Sequence, residues 1–156
     1  MVEEIRGYTW RVGDKRGDVT RDLAHARRCI EELQSEMKVP VSEVGWLALG
    51  FSGGASSAPY AATNDARFSA FAVLHGGVFT GGLGDHHPRG WFSTGKHDPA
   101  RPPHHVLAQA NSFRAARPED DVTVRFYEVG HTVDTRELDD VMNFWLASPT
   151  NELPPG

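Results

Sequence analysis

Apolar positions along the chain fall into two rhythms. Val19, Leu23, Ala26, Ile30, Leu33 and Met37 recur at steps of three and four residues, which is one face of an amphipathic helix. Asp18 or Thr20 is placed to cap its start by accepting a backbone N–H bond, and Pro40 marks its end. Residues 1–17 are polar and broken by Gly7, Gly13 and Gly17, an irregular lead-in with one short extended piece at most, GYTWRV. After Pro40 the rhythm changes. Val44 to Gly50 (VGWLALG) and Phe68 to Leu74 (FSAFAVL) are apolar runs too short for helices and bounded by turn signals, as parallel strands buried on both faces are. Trp91 to Thr94 (WFST) is a third, shorter strand. Val122 to Val129 (VTVRFYEV) alternates and is rich in β-branched and aromatic residues, a fourth.

Helical stretches separate these strands. SGGASSAPYAAT reads as a helix despite Pro59. Pro103 to Ala116 carries Val106, Leu107, Ala110 and Phe113 on one side, and Thr135 to Ala147 has Leu138, Val141, Met142, Trp145 and Leu146 apolar. Trp46, Trp91, Phe144 and Trp145 are expected in the core. Residues 148–156 form a polar, Pro-rich tail. Strands alternating with helices predict an α/β fold: a mostly parallel sheet of about four strands with helices on both faces, in a single domain over residues 1–156.

Composition narrows the function classes. The 156 residues carry 16 Lys plus Arg against 21 Asp plus Glu, a net charge of −5, which argues against a nucleic-acid footprint and against docking to anionic lipid. No apolar run approaches the ~18 residues of a membrane span, and the acidic, polar start is not that of a secretory signal, so a cytoplasmic protein is expected. Cys29 is the single cysteine, which excludes an intramolecular disulfide and a cysteine metal cluster. Lying beside the helical stripe, it reads as a buried, inert thiol.

The candidate chemistry starts at Gly50-Phe51-Ser52-Gly53-Gly54, which fits G-x-S-x-G with a buried strand before it and a small-residue helix after it. A strand-to-helix turn presents the serine hydroxyl above the carboxyl edge of a sheet, and the next backbone N–H faces a developing oxyanion. The block also suits a Gly-rich packing turn or a phosphate-binding loop, although no Lys-Ser or Lys-Thr pair follows it as a Walker loop requires. A serine needs a base, and the base an orienting acid. Asp98 follows the WFST strand and His131 follows VTVRFYEV, so both leave the edge from which Ser52 projects. The order Ser52, Asp98, His131 is the α/β-hydrolase order.

LALGFSGGAS, WFSTGKHDPARPP and YEVGHTVDTRELDDVMNFWL resemble the C-terminal part of an α/β-hydrolase, in the phospholipase/carboxylesterase branch that includes acyl-protein thioesterase-like enzymes. The resemblance spans roughly residues 18–147. It implies Ser52 as nucleophile, Asp98 as acid, His131 as base and the Gly53 N–H as an oxyanion donor. It implies hydrolysis of a small ester or thioester with no cofactor and no metal.

Other residues carry plainer readings. Asp134 could replace Asp98 as the acid or cap the last helix. His75-Gly76-Gly77 reads as the turn after the second strand, so His75 and Gly76, with Phe51, are candidates for lining the pocket. His86, His87, His97, His104 and His105 cluster in sequence, but at spacings of no metal-ligand pattern. The glycine-rich run from Gly76 to Gly90 is expected to be mobile and near the site. The resemblance also implies several strands ahead of the nucleophile, whereas 49 residues precede Gly50. The chain is thus expected to start midway through the fold, without a sequence-visible second oxyanion donor. Val44 to Leu49 then becomes an apolar edge that invites a homo-oligomer. The alternative function is a weak or inactive hydrolase remnant serving as a binding or assembly subunit.

Overall fold

The computed structural model describes residues 19–40, 43–77 and 82–147. The GYTWRV lead-in, residues 78–81 of the glycine-rich run and the tail 148–156 lie outside the described residues. The elements are α1 (Val19–Ser35), β1 (Trp46–Phe51), α2 (Ser57–Thr63), β2 (Phe68–Leu74), β3 (Arg89–Gly95), α3 (Pro103–Ala116), β4 (Val122–Tyr127) and α4 (Thr135–Leu146). The strands form one parallel sheet in the order β1-β2-β3-β4. β2 and α3 begin and end where the sequence pattern puts them. A 3-10 turn, Ser52–Gly54, joins β1 to α2. Pro59 sits in the first turn of α2, where a missing N–H costs no intrahelical bond.

Two apolar layers result from the alternation along the strands. Phe71, Val73 and Phe92 face α1, α2 and α3, meeting Ile30, Ala58, Ala62, Val106, Ala110 and Phe113. The Phe71 ring stands edge-on to Phe92 and Phe113, at centroid distances of 5.8 and 5.2 Å. Ala70, Ala72, Leu74 and Trp91 face the other way, onto Val141 and Phe144 of α4. Burying a large apolar side chain contributes about 1.5–3 kcal/mol, so these two layers hold the sheet in register.

The structure corrects several expectations. VGWLALG is a parallel strand but not a fully buried one: every residue of β1 is half-buried or exposed, and Leu49 remains 45% exposed. It is the edge of the described sheet, with β2 on one side only. Trp46 is accordingly half-buried rather than core. Met37 lies beyond the last turn of α1 and is exposed. Leu107, Leu138, Met142 and Leu146 are also exposed. The helical period marks an apolar stripe wider than the strip that meets the sheet. Cys29 is exposed, not buried, with Sγ 3.7 Å from His25 Nε2. It lies one residue off the buried Ile30, which turns it about a quarter of a helical turn away from the core.

Candidate active site

The strand registers bring the site together. Phe51 pairs with Leu74, Leu74 with Ser93, and Gly95 with Tyr127, so the carboxyl ends of all four strands lie side by side. Residues just past those ends therefore meet although they are far apart in sequence. Ser52 directly follows β1 and has φ +51°, the left-handed region that non-glycine residues seldom occupy. The chain can turn this sharply because Gly50 has no side chain: a Cβ there would sit 2.4 Å from the Gly54 carbonyl oxygen and 2.7 Å from Ala55 Cα.

On the far side of the edge, the loops after β3 and β4 are stitched together by Lys96 N–H to Tyr127 O (2.7 Å) and His97 N–H to Val129 O (3.1 Å). Gly95 permits this approach, since a Cβ would lie 2.1 Å from the Val129 carbonyl oxygen. Asp98 and His131 are thereby set against each other. His131 Nδ1 is 2.7 Å from Asp98 Oδ2, and His131 Nε2 is 2.9 Å from Ser52 Oγ. With Nδ1 donating to the carboxylate, Nε2 keeps the lone pair that the serine hydroxyl faces. The His131 side chain is 29% exposed and that of Asp98 is fully buried.

Asp98 is held on both oxygens. Oδ1 accepts the backbone N–H groups of Ala100 and Arg101, each at 2.8 Å, and Oδ2 accepts from His131 and from a second histidine, His75, at 2.7 Å. Burial works against its charge, but the hydrogen bonds from His131, Arg101, His75 and Ala100 outweigh that and hold its carboxyl well below the usual range. Thr94 donates its hydroxyl to Arg101 O at 2.6 Å, which closes the loop around the carboxylate.

The remaining candidates separate. Phe51 lies over both imidazoles, with ring centroids 5.5 Å from His75 and 5.0 Å from His131. Gly53 is exposed, and a Cβ there would meet nothing within 4 Å. Gly76 is buried. Asp134 caps α4: its Oδ1 accepts Arg136 N–H at 2.9 Å, while Glu137 Oε2 accepts Asp134 N–H at 3.3 Å. The sequence cluster of histidines is dispersed. His86 bonds Phe68 O, His87 bonds Asp120, His97 faces Glu128, and His104 stacks near His105. His75, Asp98 and His131 offer donor atoms within 4.8 Å of one another, close enough to hold a metal ion, but here they are joined by direct hydrogen bonds.

Two site residues escape the sequence reading in part or whole. His75 goes beyond lining: it is fully buried, with Nε2 3.2 Å from Glu137 Oε2. Glu137 is fully buried too and accepts the Ser93 hydroxyl at 2.6 Å. One signal was available for His75, because it leaves the same carboxyl edge as Ser52, Asp98 and His131.

No family model matches the chain. No curated protein matches it significantly. Solved structures do. A carboxylesterase from Bacillus cereus superposes with a TM-score of 0.64 at 17% identity, covering 82% of this chain and 60% of that one. Acyl-protein thioesterase 2 from Zea mays gives 0.62 at 18% identity, covering 87% and 70%. A phospholipase/carboxylesterase from Dyadobacter fermentans gives 0.60 at 20% identity, covering 90% and 70%. The chain thus spans between 60% and 70% of the length of these proteins. The four-stranded parallel sheet and its covering helices are thus an α/β fold that the chain shares with these carboxylesterase and acyl-protein thioesterase structures.

Proposed function

We propose that the protein is a serine hydrolase that cleaves a small carboxylic ester or thioester through an acyl-enzyme. One observation carries this reading: the continuous line from Ser52 Oγ through His131 to a buried, fully hydrogen-bonded Asp98, at 2.9 and 2.7 Å. His131 Nε2 takes the hydroxyl proton as Ser52 Oγ attacks the acyl carbon. The tetrahedral adduct collapses, the alcohol or thiol leaves with that proton, and the acyl group stays on Ser52. Water, deprotonated by His131, then attacks the ester, releasing the acid and restoring the Ser52 hydroxyl. Asp98 holds the His131 tautomer and stabilises its charged form. The Gly53 N–H holds the oxyanion, a contribution worth on the order of 10²–10³ in rate for such a donor. Phe51 and Gly76 border the acyl site.

A fluorophosphonate probe is expected to label the wild-type protein and to leave Ser52→Ala unlabelled. Absence of wild-type labelling overturns the reading.

The side of β1 that has no strand beside it among the described residues favours a second role, as a binding or assembly subunit. The strand is apolar, and a hollow of about 260 Å³ lined by Leu23, Ala26, Leu47, Leu49, Ala58 and Phe68 runs beside it. We infer that the Val44–Leu49 edge pairs copies of the chain. Sedimentation at micromolar concentration should then report a species larger than the monomer; a clean monomer counts against it. Labelling at Ser52 separates an active hydrolase that associates from an inert subunit.

A further inference from the structure

The two histidines that share Asp98 are not equivalent. His131 is partly open and reaches Ser52. His75 is fully buried and spans two carboxylates, with Nδ1 2.7 Å from Asp98 Oδ2 and Nε2 3.2 Å from Glu137 Oε2. A neutral imidazole has one N–H, so its other nitrogen would turn a lone pair on a carboxylate oxygen. Only the imidazolium donates to both. The Gly95 N–H lies 3.4 Å from Nδ1, too far to displace Asp98 as its partner. Glu137 is built to remain an acceptor: Oε1 takes the Ser93 hydroxyl at 2.6 Å, and Ser93 Oγ in turn accepts the Trp91 indole N–H at 2.9 Å. Burial opposes a charge on His75, but the hydrogen bonds and charges of Glu137 and Asp98 prevail and raise its pKa above the ordinary value.

The backbone points the same way. His75 has φ +49°, nearly the value at Ser52 just past the end of the neighbouring strand. Such strain in a non-glycine residue persists only where the surrounding contacts over-determine it, and it concentrates at functional sites.

The geometry points to His75 as a positioning residue: an imidazolium clamped between Asp98 and Glu137 that fixes the Asp98 oxygen under His131 and offsets the negative charge His131 faces. This rests on the serine-hydrolase reading. The charged or titratable groups facing His75 are Asp98 from the loop after β3, Glu137 from α4 and His131 from the loop after β4. The β1 end contributes only uncharged Phe51. With His75 charged, Asp98, Glu137 and His75 carry one net negative charge; without it they carry two. The His75 and His131 rings stand edge-on with centroids 5.7 Å apart, within the range where a charge acts on its neighbour's protonation.

The test uses two variants and one spectrum. In His75→Asn the amide keeps a donor near the Nδ1 position and tolerates the left-handed backbone, but the charge is gone. The acidic limb of the kcat/KM profile with p-nitrophenyl acetate should move up by about 1 pH unit. The rate should fall between about tenfold and a hundredfold as Asp98 loosens. Adding Glu137→Gln removes the orphaned carboxylate, and the limb should return toward the wild-type position. A merely structural His75 would lower activity in both variants and leave the limb where it was, which overturns the inference. Imidazole 15N spectra of the wild-type protein at pH 6.5 should show both His75 nitrogens protonated. A neutral tautomer there also overturns it, whether or not His75→Asn folds. Failure of the hydrolase reading looks different: wild-type protein that no fluorophosphonate labels.

Discussion

β1 and β3 are strands of similar length in one sheet, and the more apolar of the two is the less buried. β1 reads WLALGF and has no buried residue; β3 reads RGWFSTG and is buried from Gly90 to Gly95. The difference is position. β3 has strands on both sides and helices over both faces, whereas β1 pairs with β2 alone among the described residues. Hydrophobicity states what a segment would gain by burial; topology decides whether it is buried.

Polar groups follow the same divide. Ser93 and Thr94 are fully buried in β3, and both hydroxyls are bonded, to Glu137 and to the Arg101 carbonyl. On the β1 side, the indole N–H groups of Trp46 and Trp145 and the Ser69 hydroxyl are buried without a partner among the described residues. A hollow of about 380 Å³ between Val39, Pro40, Trp46, Leu47 and Trp145 lies there. Among the described residues, the buried side-chain polar groups at the carboxyl edge are thus all partnered, where those of the far edge are not. A site that must hold one geometry needs its polar groups satisfied, since an unpaired buried group costs about 1–3 kcal/mol.

The largest effect expected from this contrast is at Phe92, fully buried in the middle of β3. Phe92→Ala should cost about 3–5 kcal/mol in urea unfolding, through lost burial and the cavity left behind. Next is Ser93→Ala, which strands Glu137 Oε1 and the Trp91 N–H and should cost about 1–3 kcal/mol. If Ser93→Ala proves neutral, the claim of a tightly satisfied edge fails.

A pH titration of stability sharpens the contrast further. The raised pKa of His75 gives stability that is fully present below the unfolded value of 6.5 and is lost as pH rises through the folded one. The lowered pKa of Asp98 gives stability present above the unfolded value of 3.8 and lost as pH falls through the folded one. Urea midpoints should therefore be highest between about pH 4 and 6.5 and decline on both sides. In His75→Asn the alkaline decline should be smaller.

The smallest effect belongs to β1. Leu49→Lys, at a position 45% exposed, should change stability by no more than about 0.5 kcal/mol. It should nevertheless weaken self-association in sedimentation, because a lysine on an edge strand opposes pairing.

Much of the fold was legible along the chain. Phe68–Leu74 and Pro103–Ala116 were bounded correctly because apolar runs and turn residues are local signals. That Ser52, Asp98 and His131 meet at one edge was legible for a related reason: each lies just past the end of a strand, and parallel strands bring their carboxyl ends to one edge. The capping role of Asp134 could also be read, since Asp134 and Glu137 stand at capping-box spacing. The exposure of Cys29, Leu107, Met142 and Leu146 was not legible. Periodicity sets which side of a helix is apolar, but not how far the neighbouring elements extend over it. The partnership of His75 with Glu137 was hidden for another reason. The two are 62 positions apart, and no local pattern links a strand-end histidine to the third residue of a distant helix.

The sequence by itself determined the order of strands and helices, the sharp turn at Ser52 and the set of residues delivered to one edge, because these depend on short-range spacing. Only the tertiary structure decided which strand is enclosed, and that Asp98 serves two histidines. Burial and the pairing of charges depend on which distant segments come into contact, and on the low dielectric they create around the groups they enclose.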